Sequence, residues 1–308
     1  MSDRFNYIEF GDTPPPPKKP ANEEPSTRVK DTGWRPPQKL RAVEVIGEPG
    51  TQAGQFAKPT AITVDPWGAV YVADAGNHRI QRITPSGNVQ VYGRAGTAPG
   101  QLWGPSGIAV EPSGQFFYVA DQGNNRVQRF KFENGQSQGS IGGLRAPSGV
   151  SFDMQGMLWI CDTGNGRLLR VNVAAGQFIA SFDRAAGIVR PVNVTCDREQ
   201  SLYVTDAVSN EVTRYNLTGQ RSATLSQLRR LSAPRQVAID SEGRIYVAEA
   251  EANRVQVFEA NGDSLFLYTG PSGKQGPLKE PSGIAIGPKD EIYVCDTANS
   301  RILRLVWE

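Results

Sequence analysis

Six times along the chain a proline is followed, one residue later, by a short apolar run, and this period constrains the fold more than any other feature. The prolines are Pro59 before AITVD, Pro105 before GIAVE, Pro147 before GVSFD, Pro191 before NVTCD, Pro234 before QVAID and Pro281 before GIAIG, at steps of 46, 42, 44, 43 and 47 residues. After each comes a polar turn and a second run that closes on an acid: Asp74, Asp121, Asp162, Asp206, Glu249 or Asp296. A third run follows (HRIQRI, NRVQRF, GRLLRV, NEVTRY, NRVQVF, SRILRL), then turns such as residues 85–88 and 261–263, and a weaker fourth run. Four short strands in roughly 44 residues is the size of one propeller blade. A blade cannot cover both of its own faces, so each must pack on two neighbours.

Six copies predict an all-β fold: a six-bladed β-propeller with four-stranded blades. The 33 glycines and 22 prolines agree with many turns between short strands. The last repeat ends at Leu303, Leu305 and Trp307 and lacks a fourth strand, whereas Ala42, Val43, Glu44, Val45 and Ile46 precede the first proline. Gly47 and Gly93 both lie twelve residues before a repeat proline, and Gly54, Gln55 and Phe56 match Gly100, Gln101 and Leu102. The N-terminal strand is therefore expected to complete the last blade and hide both open edges of the ring.

Two domains of unequal kind are expected. Residues 1–39, with prolines at 14–17, 20, 25, 36 and 37 and few large apolar groups, should be a flexible proline-rich leader. Phe5, Tyr7, Ile8 and Phe10 stand out in front of it as a docking segment or a sticky end. Residues 40–308 are the propeller. The net charge of +2 leaves no strong global field to gather nucleic acid or anionic membrane. Without an apolar stretch for export or membrane crossing, a cytoplasmic monomer away from membranes is expected. Cys161, Cys196 and Cys295 have no CxxC spacing and are read as small buried hydrophobes.

Residues 71–80, Tyr-Val-Ala-Asp-Ala-Gly-Asn-His-Arg-Ile, and their echoes at 118–127 and 159–168 resemble the NHL-repeat family. The Asp-x-Gly-Asn-x-Arg turn is intact in three copies; the sixth has Ala298 for glycine, and the fourth and fifth diverge. The resemblance covers the chain after the leader. It implies a six-bladed propeller used mostly as a binding platform for proteins or RNA, and in a few relatives for lyase or lactonase chemistry. Fold alone does not choose among these.

The repeated carboxylates occupy six sites around a ring, so they are read as structure: each acid should accept from the backbone of its following turn and from the arginine five residues on, Arg79, Arg126, Arg167 or Arg301. Arg82, Arg129, Arg170, Arg214 and Arg304 are expected to pair between blades. His78 is the only histidine. That count removes mechanisms that need several imidazoles on a metal, and it makes streptogramin lyases poor guides to chemistry here.

The candidate surface is the face bearing the turns between second and third strands. Its channel rim is formed by Thr60, Ser106, Ser148, Asn193, Arg235, Gln236 and Ser282, a set without an acid. Glu249 and Glu251 in the divergent blade-five turn, and Trp103 as an aromatic anchor, complete it. No catalytic residue, metal or cofactor is assigned. The function expected is a non-enzymatic scaffold for a protein or peptide. The alternatives are single-stranded RNA on the same face and a channel-centred, metal-dependent lactonase or lyase.

Overall fold

The structure, a computed structural model, describes residues 8–10, 39–224 and 231–308. Blade one consists of strands Pro59–Val64, Val70–Asp74, Arg79–Ile83 and Val89–Tyr92, paired in that order. Blade two repeats the pattern with Pro105–Val110, Phe116–Asp121, Arg126–Lys131 and Ser137–Ile141. Blade three has Val150–Phe152, Leu158–Asp162, Arg167–Asn172 and Gln177–Phe182. Blade four has Pro191–Cys196, Leu202–Asp206, Glu211–Tyr215 and Arg221–Thr224. Blade five has Pro234–Ile239, Ile245–Glu249, Arg254–Phe258 and Ser264–Tyr268. Blade six has Pro281–Ile286, Ile292–Asp296 and Arg301–Trp307. The innermost strands of successive blades touch around the ring and enclose a central channel.

The second strands read as unbroken apolar runs because both of their faces are covered. In blade one, Val70 and Val72 join Ile302 and Cys295 of blade six, while Tyr71 and Ala73 join Phe117 and Val119 of blade two. Each of the six junctions has its own apolar cluster of this kind. Successive strand residues point to opposite faces, so one strand serves two junctions. The inner hairpins of blades one, three and five turn on an aspartate and a glycine. Asp65 accepts the N–H groups of Trp67 (3.0 Å) and Ala69 (2.8 Å), and Gly68 sits at φ +85°, where a side chain would be strained.

The ring closes as its ends predict. Strand Leu40–Ile46 lies antiparallel to Arg301–Trp307, pairing Leu40 with Trp307 and Ile46 with Ile302, and so supplies the fourth strand of blade six. The correspondence between the first two lead-in loops also holds. Gly47 lies under the Phe56 ring and Gly93 under Leu102, with the bridges Pro49–Phe56 and Ala95–Leu102 in matching places.

Within the expected leader, Ile8–Phe10 forms a strand on the outer edge of blade two, Ile8 opposite Ile141 and Phe10 opposite Gly139. Phe5, Tyr7 and the proline-rich stretch from 11 to 38 lie outside the described residues. No helix among the described residues is long and apolar enough to cross a membrane.

Four arginines of the second set pair inside their own blades rather than between blades, and Arg129 lies 3.6 Å over the Phe116 ring of its own blade. Arg170 meets Asp153 at 2.7 Å, Arg304 meets Glu44 at 2.7 Å, and Arg82 and Arg214 lie 3.8 Å from Asp65 and Asp197. Asp65, Asp153 and Asp197 follow the innermost strands, one strand away from the third, and Glu44 lies on the closing strand directly opposite Arg304. What crosses the junction is a stack: the Arg82 guanidinium lies 4.4 Å over the Phe132 ring of blade two.

Candidate functional site: the loop-bearing face and channel mouth

The acid that ends each second strand is the hub of a clamp and accepts a backbone N–H from the loop leading into its own blade; in blade four the following turn donates to it as well. Oδ1 of Asp74, Asp121, Asp162 and Asp296 accepts the N–H of Ala57, Trp103, Arg145 and Lys279, each at 2.7 Å. Oδ2 accepts from the Asn three residues on and from Nε of the Arg five residues on, at 2.6–2.9 Å. The arginine's fork is turned away: Arg79 donates through its terminal nitrogens to the carbonyls of Thr51, Gln52 and Gln55. These aspartates are completely buried, and such charge is tolerated because both oxygens accept hydrogen bonds and one faces a guanidinium.

A second device links four of the turns to the next blade. The left-handed residue at the end of the turn accepts an N–H from the following lead-in loop: Asn125 from Ala146 (2.7 Å), Asn253 from Glu280 (2.8 Å), Ser300 from Lys58 (3.4 Å). His78 holds the same position at φ +55°, and its Nδ1 accepts from Gly104 at 3.0 Å. The imidazole therefore carries its proton on Nε2. Its ring stacks on Trp103, with centroids 4.4 Å apart and planes 12° from parallel.

The rim hydroxyls join blades as well. Thr60 donates to the carbonyl of Pro105 (3.0 Å), Ser106 to Pro147 (3.1 Å), Ser148 to Val192 (2.8 Å) and Ser282 to Thr60 (2.9 Å). Thr163 and Thr297 reinforce two of these links, reaching Pro191 (2.7 Å) and Pro59 (2.8 Å). Blades four and five have Val192 and Arg235 where the others have a hydroxyl, and amides one residue on replace it. Asn193 accepts from the Val237 N–H at 3.1 Å. Gln236 reaches across to blade one, donating to the Ile62 carbonyl (2.9 Å) while accepting from the Ile62 N–H (3.3 Å). The deviations of these two blades from the repeat are thus partly a second way of tying the ring.

Of the ten candidate residues, seven line one cavity of about 440 Å³ at the channel mouth: Thr60, Ser106, Ser148, Asn193, Arg235, Gln236 and Ser282. The other three do not. Glu249 is fully buried as the clamp acid of blade five, accepting from Ser232 N–H (2.7 Å) and Arg254 (2.8 Å), so no partner can reach it. Glu251 is exposed in the neighbouring turn, and Trp103 is 51% exposed on the lead-in loop of blade two. The mouth also holds Gln122, Arg190 and Glu280, so an acid does stand there. Arg190 and Glu280 escaped the sequence reading because they immediately precede the repeat prolines. Their position relative to Pro191 and Pro281 was the available signal.

Gln236 borders a second cavity of about 440 Å³ in the other half of the channel, lined chiefly by inner-strand Ile, Val and Ala side chains. Among the described residues, no group of three or more His, Cys, Asp or Glu is placed to hold a metal ion. Cys161 and Cys295 are buried as expected and titrate well above the usual range, whereas Cys196 is only partly buried and is pushed up to about 12 by desolvation.

A closed ring of six four-stranded blades, with a polar mouth on the clamp-bearing side, defines this chain as a six-bladed β-propeller. It belongs to the Virginiamycin B lyase family, whose sequence profile matches residues 49–305. This assignment joins the chain, through its blades, to the lyases that the histidine count had set aside. Among curated proteins it is 24% identical to the E3 ubiquitin-protein ligase TRIM32 of Homo sapiens over 182 residues, 56% of this chain and 28% of that protein. The mouse protein matches at 24% over 197 residues, 59% of this chain and 30% of that protein, so the chain spans under a third of the length of either. Similar solved structures include a streptogramin B lyase (TM-score 0.62, 15% identity, 88% of this chain and 98% of that one). A catalytically inactive histidine-to-alanine virginiamycin B lyase from Staphylococcus aureus with quinupristin is another (0.60, 17%, 87% and 99%). A nidogen/laminin complex is a third (0.60, 20%, 78% and 84%). At these identities the structures share the fold.

Proposed function

We propose that the protein is a non-enzymatic interaction scaffold of the NHL-repeat kind, receiving a protein or peptide on its loop-bearing face. The state of the mouth carries this reading. Its rim hydroxyls and amides join blades, no imidazole lines it, and the side chains left unengaged are surface groups such as Arg190 and Arg235. The lone histidine is a structural acceptor, whereas the Staphylococcus aureus lyase is inactive when one of its histidines becomes alanine. Likeness to a ubiquitin-protein ligase and to a nidogen/laminin complex supports a protein partner. The repeated arginines that an RNA-binding stripe would need are paired with carboxylates, which favours a protein over RNA.

Family membership favours one second reading, lyase chemistry in the channel. Incubation with quinupristin separates the two. The scaffold reading expects the cyclic compound to be recovered intact by mass spectrometry, and a ring-opened product at catalytic turnover would overturn it. Selection of displayed peptides on the full-length protein tests the binding half. Selected ligands should lose affinity on Trp103→Ala and keep it on Trp67→Ala at the opposite end; the reverse pattern would move the surface away from the loop-bearing face.

A further inference from the structure

Blade four breaks the clamp in an informative way. Glu211 stands where the clamp arginine should be, so Asp206 has no guanidinium and its oxygens accept backbone N–H groups instead. Oδ2 accepts from Val189 (2.9 Å) and Arg190 (2.7 Å), and Oδ1 from Val208 (2.9 Å) and Ser209 (3.3 Å). One buried carboxylate thereby holds the lead-in loop and the turn side by side. The residues it presents are apolar and exposed: Val189 is 41% and Val208 58% accessible. Held side by side, they offer a small apolar surface that a ligand's aliphatic side chain can cover.

Arg190 follows Val189 in the chain and opens on the channel mouth, where Arg235 also lies. Arg190 and Arg235, from blades four and five, line the same mouth, and neither side chain forms an ion pair or hydrogen bond with any described residue. The arginines that do repeat with the blades are tied instead to carboxylates or aromatic rings. Glu280 is the one acid lining this cavity, and it lies beyond ion-pair distance of both. The mouth is therefore locally cationic beside an apolar ledge, on a chain of nearly neutral total charge.

We infer that the edge of the mouth at blade four, together with Arg235 of blade five, docks a linear peptide in which an acidic residue adjoins an aliphatic one. Arg190 and Arg235 take the carboxylate, and Val189 and Val208 take the aliphatic side chain. Guanidinium forks match a carboxylate in plane and in number of donors, and an aliphatic neighbour covers the valines. The inference rests on the scaffold reading and gives its partner a chemical class.

The probes are fluorescein-labelled octapeptides of glycine and serine carrying a central Leu-Glu, Leu-Gln or Gly-Glu pair, titrated with the full-length protein and followed by anisotropy. The Leu-Glu peptide is expected to bind about tenfold tighter than either of the others and to weaken as sodium chloride is added. Arg190→Glu and Arg235→Glu should each lower its affinity by about tenfold or more, with unchanged melting curves; Lys289→Glu on the opposite face should leave it unchanged. Equal binding of Leu-Glu and Leu-Gln, indifference to both arginine variants, or stronger competition by an oligonucleotide than by free Leu-Glu peptide would each overturn the inference. If binding persists in the arginine variants but is lost in Trp103→Ala, the docking site falls and the scaffold reading stands. If no peptide binds and quinupristin is opened, both fall.

Discussion

Removal of the closing strand should destabilise the whole ring, because residues 40–46 belong to blade six yet enter from the other end of the chain. The comparison is between the protein lacking residues 1–38 and the protein lacking residues 1–46, which differ by little more than this strand. Leu40 is almost fully buried against blade five, and Ala42 and Val45 pack on the same cluster, with Ile46 on the other junction. One fully buried leucine contributes about 2 kcal/mol and the partly buried side chains about 2 kcal/mol together. The ladder to Arg301–Trp307 contributes about 1 kcal/mol per hydrogen bond, and ordering each strand residue costs about as much, so these two largely cancel. The half-exposed Arg304–Glu44 pair adds little. A net loss of about 4 kcal/mol remains, equal to a fall in Tm of roughly 10 °C for a domain of this size. Differential scanning calorimetry reads it directly. If the two truncated proteins melt within about 2 °C of one another, the strand does not close the ring and the reasoning is wrong.

Replacing Gln236 with alanine should cost about 2 kcal/mol, because the backbone N–H and carbonyl of Ile62 lose their side-chain partner inside the channel; chemical denaturation measures it, and Gln236→Glu, which loses the donor to the Ile62 carbonyl, should fall short of full stability as well. The three thiols should resist a thiol reagent in the native protein at pH 8. Burial raises all of them, so the reactive thiolate is scarce until well above that pH; three equivalents should react on unfolding, and fast labelling of the native protein would contradict the assigned burial.

The rim shows where sequence reading stops. Thr60, Ser106, Ser148 and Ser282 were legible as one ring, because each follows a repeat proline. Their role was not, since a hydroxyl shows no preference in sequence between a ligand and the carbonyl of the next blade. Asn193 and Gln236 looked like departures kept for a partner, yet their amides replace the missing hydroxyl links across the channel. Glu249 looked like an exposed turn acid. It plays the aspartate's part instead, accepting from a lead-in residue seventeen positions earlier, and ends up fully buried.

Period, strand type, blade count and closure were all written in the chain, because a repeat that must cover two faces leaves its apolar pattern in every copy. The local turn chemistry was equally plain, since Asp, Gly and Asn hold special backbone geometries with atoms a few residues away. Pairing across longer separations was decided only by the tertiary structure. Asp74 meets Ala57 seventeen residues earlier, and Gln236 meets Ile62 across 174. Hydrogen bonds and ion pairs act over about 3 Å, so which polar groups are engaged and which, like Arg190 and Arg235, remain available depends on where closure of the ring brings distant residues together.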